Sequence, residues 1–243
     1  MKHLYGVLPV LEGLRAGNRR IDKVIIAEGT RESRFAEIID LCRSNSIAWH
    51  RVPRETFAKY LDRDVNHQGV MAFSAAATYV STDDILESAG DPSLVLILDG
   101  VEDPRNLGAI LRTAECAGVD GIVIPERRAA GLTDTVAKAS AGAIEFVKVA
   151  KTTNLNSFVK DLRSRDIWVV GASADAPMAY DEWDWTRPSA LVLGSEGSGL
   201  HRLVAKNCDT LVKIPMYGKI DSLNVSVAAG IVLFEARRQR SKE

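Results

Sequence analysis

Cysteine is scarce in this 243-residue chain: three residues, at positions 42, 116 and 208, far apart and odd in number. That argues against a disulfide framework and against a zinc ribbon, which needs close cysteine pairs. Cys42, Cys116 and Cys208 read instead as small buried thiols. Histidine is scarce too, four residues without an H-E-x-x-H spacing, so no protein-bound metal is expected. No apolar run approaches the ~20 residues of a bilayer-spanning helix. The opening Met1-Lys2-His3-Leu4-Tyr5-Gly6 lacks the apolar core of a secretory signal. A cytoplasmic location without a membrane partner is therefore expected. Neither sign of charge dominates, with 31 Lys and Arg against 32 Asp and Glu. Residues 1–75 nevertheless carry 12 basic against 9 acidic side chains, and residues 76–243 carry 19 against 23. A mildly basic front end on an acidic body fits docking of a nucleic acid at one end.

What is present is an ordinary globular balance, 46% hydrophobic and 26% charged, enough for one large domain or two small ones. In residues 1–75 the patterns predict a helix over Val7 to Ala16, a strand over Lys23 to Ala27 and a helix capped by Ser33 and running to Asn45. A further helix follows Pro53 and ends at Leu61, and a strand closes the unit at Val70 to Phe73, making an α/β/α unit. Residues 76–93 carry no strong core pattern and read as a linker, with a short helix allowed at Asp83 to Ala89. From Leu94 the chain alternates. Strands are predicted at 94–98, 121–124, 146–150, 167–171, 190–193 and 210–214, and helices at 107–118, 134–141, 155–165 and 224–240. Repeated strand–helix alternation implies an α/β domain with a mostly parallel sheet.

Ligands of parallel sheets bind beyond the carboxyl ends of the strands. Three segments there are not ordinary core. The first, Asp99 to Ala114, holds Asn106, which can cap a helix, and Arg112, which is either a solvated face residue or a guanidinium aimed at phosphate or sugar. The second, Gly194-Ser195-Glu196-Gly197-Ser198-Gly199, lets a backbone approach a ligand closely, yet matches neither dinucleotide, phosphate-loop nor serine-hydrolase spacing. The third, Ile214 to Ala229, clusters Ser222, Asn224 and Ser226 before a helix of small residues, where one cap would suffice. Trp183 and Trp185 read as packing beneath a loop, with base stacking the alternative. Arg237, Arg238 and Arg240 read as complements to the negative end of the last helix, with RNA contact the alternative.

Together these segments resemble the three signature motifs of the SpoU family, ribose 2′-O-methyltransferases of the SPOUT class. N-x-G-x-x-x-R is met by Asn106, Gly108 and Arg112; L-G-x-E-G-x-G by Leu193 to Gly199; and I-P-M-x-G-x-x-x-S-L-N-V-S by Ile214 to Ser226. The resemblance covers about residues 94–243. Residues 1–75 are more loosely similar to the L30e-like RNA-binding domain found ahead of the catalytic domain in many members, through Tyr5-Gly6, Val10-Leu11-Glu12, Val24 to Ala27 and Asn66 to Val70. The alternative for His67 and Gln68 is a turn pair bonding its own loop. The resemblance implies a deep trefoil knot in the C-terminal domain, S-adenosylmethionine as cofactor, and a homodimer with the last helix in the interface. It implies methylation of a ribose in structured RNA, most similar to the bacterial enzymes acting on a guanosine of 23S rRNA. The alternatives are a tRNA substrate or a non-catalytic ribosome-assembly factor.

The resemblance also assigns residues. Asn106, Arg112, Glu196, Ser222 and Asn224 would be catalytic, with Arg112 at the reacting hydroxyl; because a guanidinium is a poor base, its role is base, electrostatic stabiliser or phosphate clamp. Leu193, Gly194, Glu196, Gly197, Ile214, Met216, Leu223, Asn224 and Ser226 would hold the cofactor. Arg19, Arg20, His67, Gln68, Arg105 and Arg112 would contact RNA.

Overall fold

A computed structural model describes residues 2–17, 20–62, 65–75 and 77–241; Arg19, one of the expected RNA contacts, lies outside them. The elements, in chain order, are β1 (Lys2–Tyr5), α1 (Val7–Ala16), β2 (Ile21–Ala27), α2 (Ala36–Ser44), β3 (Ala48–Val52), β4 (Val70–Ser74), α3 (Thr82–Glu87), β5 (Leu94–Asp99), α4 (Pro104–Cys116), β6 (Gly121–Pro125) and α5 (Asp134–Ala139). They continue with β7 (Val149–Thr152), α6 (Leu155–Ser164), β8 (Trp168–Ala172), β9 (Met178–Ala179), β10 (Ser189–Gly194), α7 (Arg202–Asn207), β11 (Thr210–Lys213) and α8 (Val225–Arg240). The chain forms two compact units, residues 1–78 with 132–146, and residues 79–131 with 147–243.

The first unit has a four-stranded sheet in the order β1-β4-β2-β3, antiparallel except for the β2–β3 pair. α1 begins at Val7 because Gly6 turns the chain at φ +95° and the Gln68 side chain, 61 residues on, accepts the Val7 N–H at 2.8 Å. α2 starts later than the Ser33 cap predicts: Glu32–Arg34 forms a 3-10 turn and Phe35, fully buried, occupies the cap position. The segment after Pro53 is likewise 3-10, Arg54–Lys59. The edge strand β3 has no alternating apolar signal, since none of its side chains is buried.

Residues 132–146, from just past the middle of the sequence, return to this unit. α5 packs on β1, and a 3-10 turn at Ala143–Glu145 packs on α1. Gly142, at φ +99°, lies so near α1 that a Cβ there would sit 2.4 Å from the Glu12 Cβ. The strand–helix alternation places this helix in the 94–243 segment; periodicity reports a helix but not which sheet covers it.

The second unit is a seven-stranded parallel sheet in the order β7-β6-β5-β10-β8-β11-β9. Every residue of β5 is buried, as expected for a strand covered on both faces. Val95, Ile97, Val123, Ala190 and Val192 join one core cluster with Phe158, Leu162 and Val204 of α6 and α7. By the two-residue strand period, Leu96, Leu98, Leu191 and Leu193 face the other way, on the side of α8, which packs on β10 and on α4. Residues 79–93 are part of this unit rather than a free connection. Val80 pairs with Ala150, Ser81 and Asp84 form a reciprocal cap on α3, and Ile85 is fully buried in the core.

Trp185 is fully buried and donates its indole N–H to the Tyr180 carbonyl at 2.8 Å, and Trp183 is 9% exposed, so both pack. Arg237 and Arg240 do not serve their own helix end. Arg237 donates to the Ala117 and Gly118 carbonyls at the end of α4, and Arg240 to those of Pro92, Ser93, Trp185 and Arg187. The thiols divide: Cys42 is buried, Cys208 partly so, and Cys116 is exposed, against expectation, because it lies on the outer face of α4. Burial pushes Cys42 up to about 11 and Cys208 to about 12, so neither is a nucleophile near neutral pH.

Candidate functional site

The strand order reverses between β5 and β10: β6 and β7 lie beyond one, and β8, β11 and β9 beyond the other. Such a switch point opens a crevice at the carboxyl ends of the strands. Register places Leu98 beside Leu193 and Asp99 beside Gly194. Two of the three unusual segments therefore leave the sheet side by side. The third leaves β11, two strands away, and must cross back to begin α8.

Local chemistry then aims each side chain. α4 begins with Pro104 at its first position and Asp103 as cap, accepting the Arg105 N–H at 2.8 Å. Asn106 is therefore not the cap predicted for it. It sits inside the first turn with its amide free of capping, and its Oδ1 accepts from Asn224 Nδ2 at 3.1 Å. The same Nδ2 donates to Glu196 Oε1. On the other side of its amide, Asn224 Oδ1 accepts the Ser226 N–H at 2.9 Å, capping α8, and the Ser226 hydroxyl at 2.5 Å. Both amide protons and the carbonyl oxygen of Asn224 are thus engaged, and the network itself sets which way the amide points. One residue ties the three segments together.

The second segment is a tight turn. Ser195 and Gly199 exchange backbone hydrogen bonds at 3.1 and 3.0 Å, with Gly197 and Gly199 at φ +87° and +64°. Gly194 packs under it so closely that a Cβ would lie 2.1 Å from the Gly199 carbonyl carbon. Gly194→Ala must push the turn outward, taking Glu196 off Asn224. Overpacking of this kind costs about 1–3 kcal/mol, so a thermal melt should fall by several degrees and activity should fall with it. A Gly194→Ala protein with an unchanged melt and turnover would mean the turn is freer than its packing.

Asp99, closing an otherwise apolar strand, is a site residue that the motif reading passed over. It is 3% exposed, and its two oxygens accept the His201 N–H and face His201 Nδ1, both at 2.8 Å. Facing a carboxylate, Nδ1 carries the proton and Nε2 is left outward. The only sequence signal was a lone carboxylate at a strand end. Gly100, Asn106, Arg128, Ser195, Glu196 and His201 line one cavity of about 470 Å³.

The other expected residues are distributed as follows. Leu193 is buried in β10, Ile214 is half-buried, and Met216 and Leu223 are 37% and 38% exposed. Ser222 is exposed and, among the described residues, makes no hydrogen bond; the cap of α8 is Asn224. Arg112 is exposed on α4, six residues past Asn106, about 9 Å along the axis and roughly 240° around it. It does not bond to the Asn106–Glu196–Asn224 cluster. Arg105 is exposed near the start of α4. In the first unit Arg20 pairs with Asp22 at 2.8 Å. Gln68 holds the start of α1, and His67 Nδ1 accepts the Gly69 N–H at 3.1 Å while its ring stacks on Phe57. Burial, with the nearby Arg54 charge, lowers the His67 pKa and keeps the ring neutral at pH 7. Both side chains hold loops, and Gln68 does so at long range rather than within its own turn.

Residues 93–234 match the family described as SpoU rRNA Methylase, and residues 3–80 match the domain described as RNA 2′-O ribose methyltransferase substrate binding. A Bacillus subtilis (strain 168) protein named as the TrmH family tRNA/rRNA methyltransferase YacO is 46% identical over 98% of this chain and 96% of its own. Among solved structures, the AdoMet-bound rRNA methyltransferase from Sinorhizobium meliloti superposes with a TM-score of 0.80 at 27% identity, over 98% of this chain and 87% of that one. The A. aeolicus TrmH/SpoU tRNA modifying enzyme gives a TM-score of 0.58 at 31% identity, over 65% of this chain and 80% of that one.

Proposed function

Because this chain belongs to the SpoU rRNA methylase family, we propose that it transfers a methyl group from S-adenosylmethionine to a ribose 2′-hydroxyl in structured RNA, with a guanosine of 23S rRNA as the leading target. The observation that carries this reading is the Asn106–Glu196–Asn224 cluster. Three segments far apart in sequence converge on one amide at the switch point of the sheet.

The cofactor fits what the third segment offers. Among the described residues, Ile214 to Leu223 make no hydrogen bond, so their backbone amides and carbonyls are available, and Met216 and Leu223 present apolar side chains beside them. An adenosine supplies polar edges that complement such exposed backbone groups and an apolar face for the side chains. When bound, S-adenosylmethionine supplies an electrophilic sulfonium methyl, which a ribose oxygen must meet in line. Orientation of that kind is worth up to ~7–11 kcal/mol. The residues of this chain provide it. Asn224 holds the second and third segments in one arrangement, Leu193 and Ile214 wall the site, and Asn106 lies at the cavity. Arg112 stabilises negative charge as it develops on the sugar oxygen, since a guanidinium is a poor base but a good electrostatic partner.

Several finer features belong to the same proposal: a trefoil knot formed by the C-terminal segment, an L30e-like character for the first unit, a cytoplasmic location and a homodimer. The dimer is supported by the apolar side chains left exposed on the third segment and α8, including Tyr217 at 97%, Ile220 at 75% and Val227 and Phe234 at 49% each. Ribosomal RNA leads transfer RNA because the rRNA enzyme above shares nearly the whole chain, whereas the tRNA enzyme shares 65% of it.

The test is a map of ribose methylation over ribosomal and transfer RNA from cells with and without this protein. One 23S position should lose its methyl group. Loss at a tRNA position moves the substrate to tRNA, and an unchanged map overturns the activity.

A further inference from the structure

Most arginines of the second unit are already committed. Arg163, Arg165, Arg187 and Arg238 hold carboxylates, and Arg237 and Arg240 hold backbone carbonyls. Arg127, Arg128 and Arg202 are different. All three are exposed and, among the described residues, make no ion pair and no hydrogen bond. They are not scattered. Arg127 and Arg128 follow β6, Arg202 opens α7, and together they line a second hollow of about 400 Å³ at the carboxyl edge of the sheet. This hollow shares Gly100, Arg128 and His201 with the cavity that holds Asn106 and Glu196.

The remainder of the lining matches the guanidinium groups. Asp99 is its one carboxylate, and that is occupied by His201. Asn154 and Asn156 also line it; their carbonyl oxygens take the Ser157 N–H and the Asn207 amide, which leaves their NH₂ groups as donors. Leu203, 63% exposed at the start of α7, adds an apolar wall. Three unneutralised cations, two amide donors and one apolar surface, on a chain of net charge −1, form a local site for an anion that carries a flat ring.

We propose that this hollow is an RNA subsite. It takes the nucleotide flanking the one in the Asn106–Glu196 cavity, with the connecting phosphates on Arg127, Arg128 and Arg202 and the base against Leu203. The assignment rests on the reading of the chain as an RNA methyltransferase, and it identifies a part of the substrate grip that lies outside the three motif segments. Phosphate contacts position an RNA without reading its sequence, so the subsite serves register rather than base choice.

The experiment uses the full chain and a fluorescein-labelled stem-loop RNA of mixed sequence with single-stranded flanks, titrated over a series of salt concentrations. Removing one arginine–phosphate pair lowers the slope of log affinity against log salt by ~0.7 to 0.9. The variant R127A/R128A/R202A should bind about 10- to 100-fold more weakly near 0.1 M salt, with the slope reduced by about 2 to 3. R127K/R128K/R202K keeps the charge and should keep the slope. R165A/R187A/R238A makes the same change in formal charge at arginines held in ion pairs, and should stay near wild type. S-adenosylmethionine titrations should be unchanged in all three, and thermal melts in the two variants of the hollow. Wild-type affinity and slope in the triple alanine variant overturn the subsite. If wild type methylates no RNA while the triple alanine variant still loses affinity and slope, the methyltransferase reading falls and the RNA subsite stands.

Discussion

Asn224→Asp should cost roughly 10²- to 10³-fold in single-turnover methyl transfer, the scale of losing preorganised hydrogen-bond donors at a reacting centre. The substitution keeps the size and shape of the side chain and still caps α8 through Oδ1. It replaces the NH₂ group, which now donates to both Asn106 and Glu196, with an oxygen that can donate to neither. It also sets a second carboxylate against that of Glu196. The second and third segments should separate, so S-adenosylmethionine affinity should fall together with turnover. Glu196→Gln is the informative companion: its side-chain oxygen still accepts from Asn224, so its loss should stay within about tenfold, well short of a lost donor. An Asn224→Asp protein with wild-type turnover would show that the amide only caps a helix.

Arg112→Ala should produce a loss of similar size, about 10²- to 10³-fold in turnover, and a different pattern. Cofactor affinity should stay within a few-fold, because Arg112 lies outside the third segment and bonds to none of the Asn106–Glu196–Asn224 cluster. Stability should barely change, since Arg112 is exposed and, among the described residues, makes no hydrogen bond or ion pair. The distance along α4 between Asn106 and Arg112 suggests a sharper measurement in the proposed dimer. A mixed dimer of an Arg112→Ala subunit and an Asn224→Asp subunit should regain activity where Arg112 serves the site of the other copy, because one intact site is then assembled. Where it serves its own subunit, both sites stay inactive. Turnover that survives Arg112→Ala in the homogeneous protein ends its assignment to the reacting hydroxyl.

The contrast between Arg112 and Arg127, Arg128 and Arg202 shows how far sequence carries here. Arg112 stands in a spaced pattern with Asn106 and Gly108, so a resemblance picks it out. Arg127 and Arg128 follow β6 in a segment without motif spacing, and Arg202 follows the glycine turn in a short helix that periodicity misses. Only the sheet brings them together. Asp99 and His201 are the same case at closer range: 102 residues separate them, and parallel pairing of β5 with β10 makes them neighbours.

The sequence by itself determined most of the elements of the second unit and singled out Asn106, Glu196 and Asn224, which the fold brings together. An apolar strand such as Leu94 to Leu98 is stable only when both faces are covered, and glycine turns and spaced polar residues at strand ends are local demands that the chain states in order. Tertiary structure decided which polar group met which. Asp103 and Pro104 took the cap of α4 and released Asn106; the strand order brought the three segments to one amide; and residues 132–146 went to the first unit. The physical reason is that caps and periodicity act over a few residues, whereas hydrogen bonds between Asn224, Asn106 and Glu196 depend on how strands are ordered in the sheet, and strand order has no local signature.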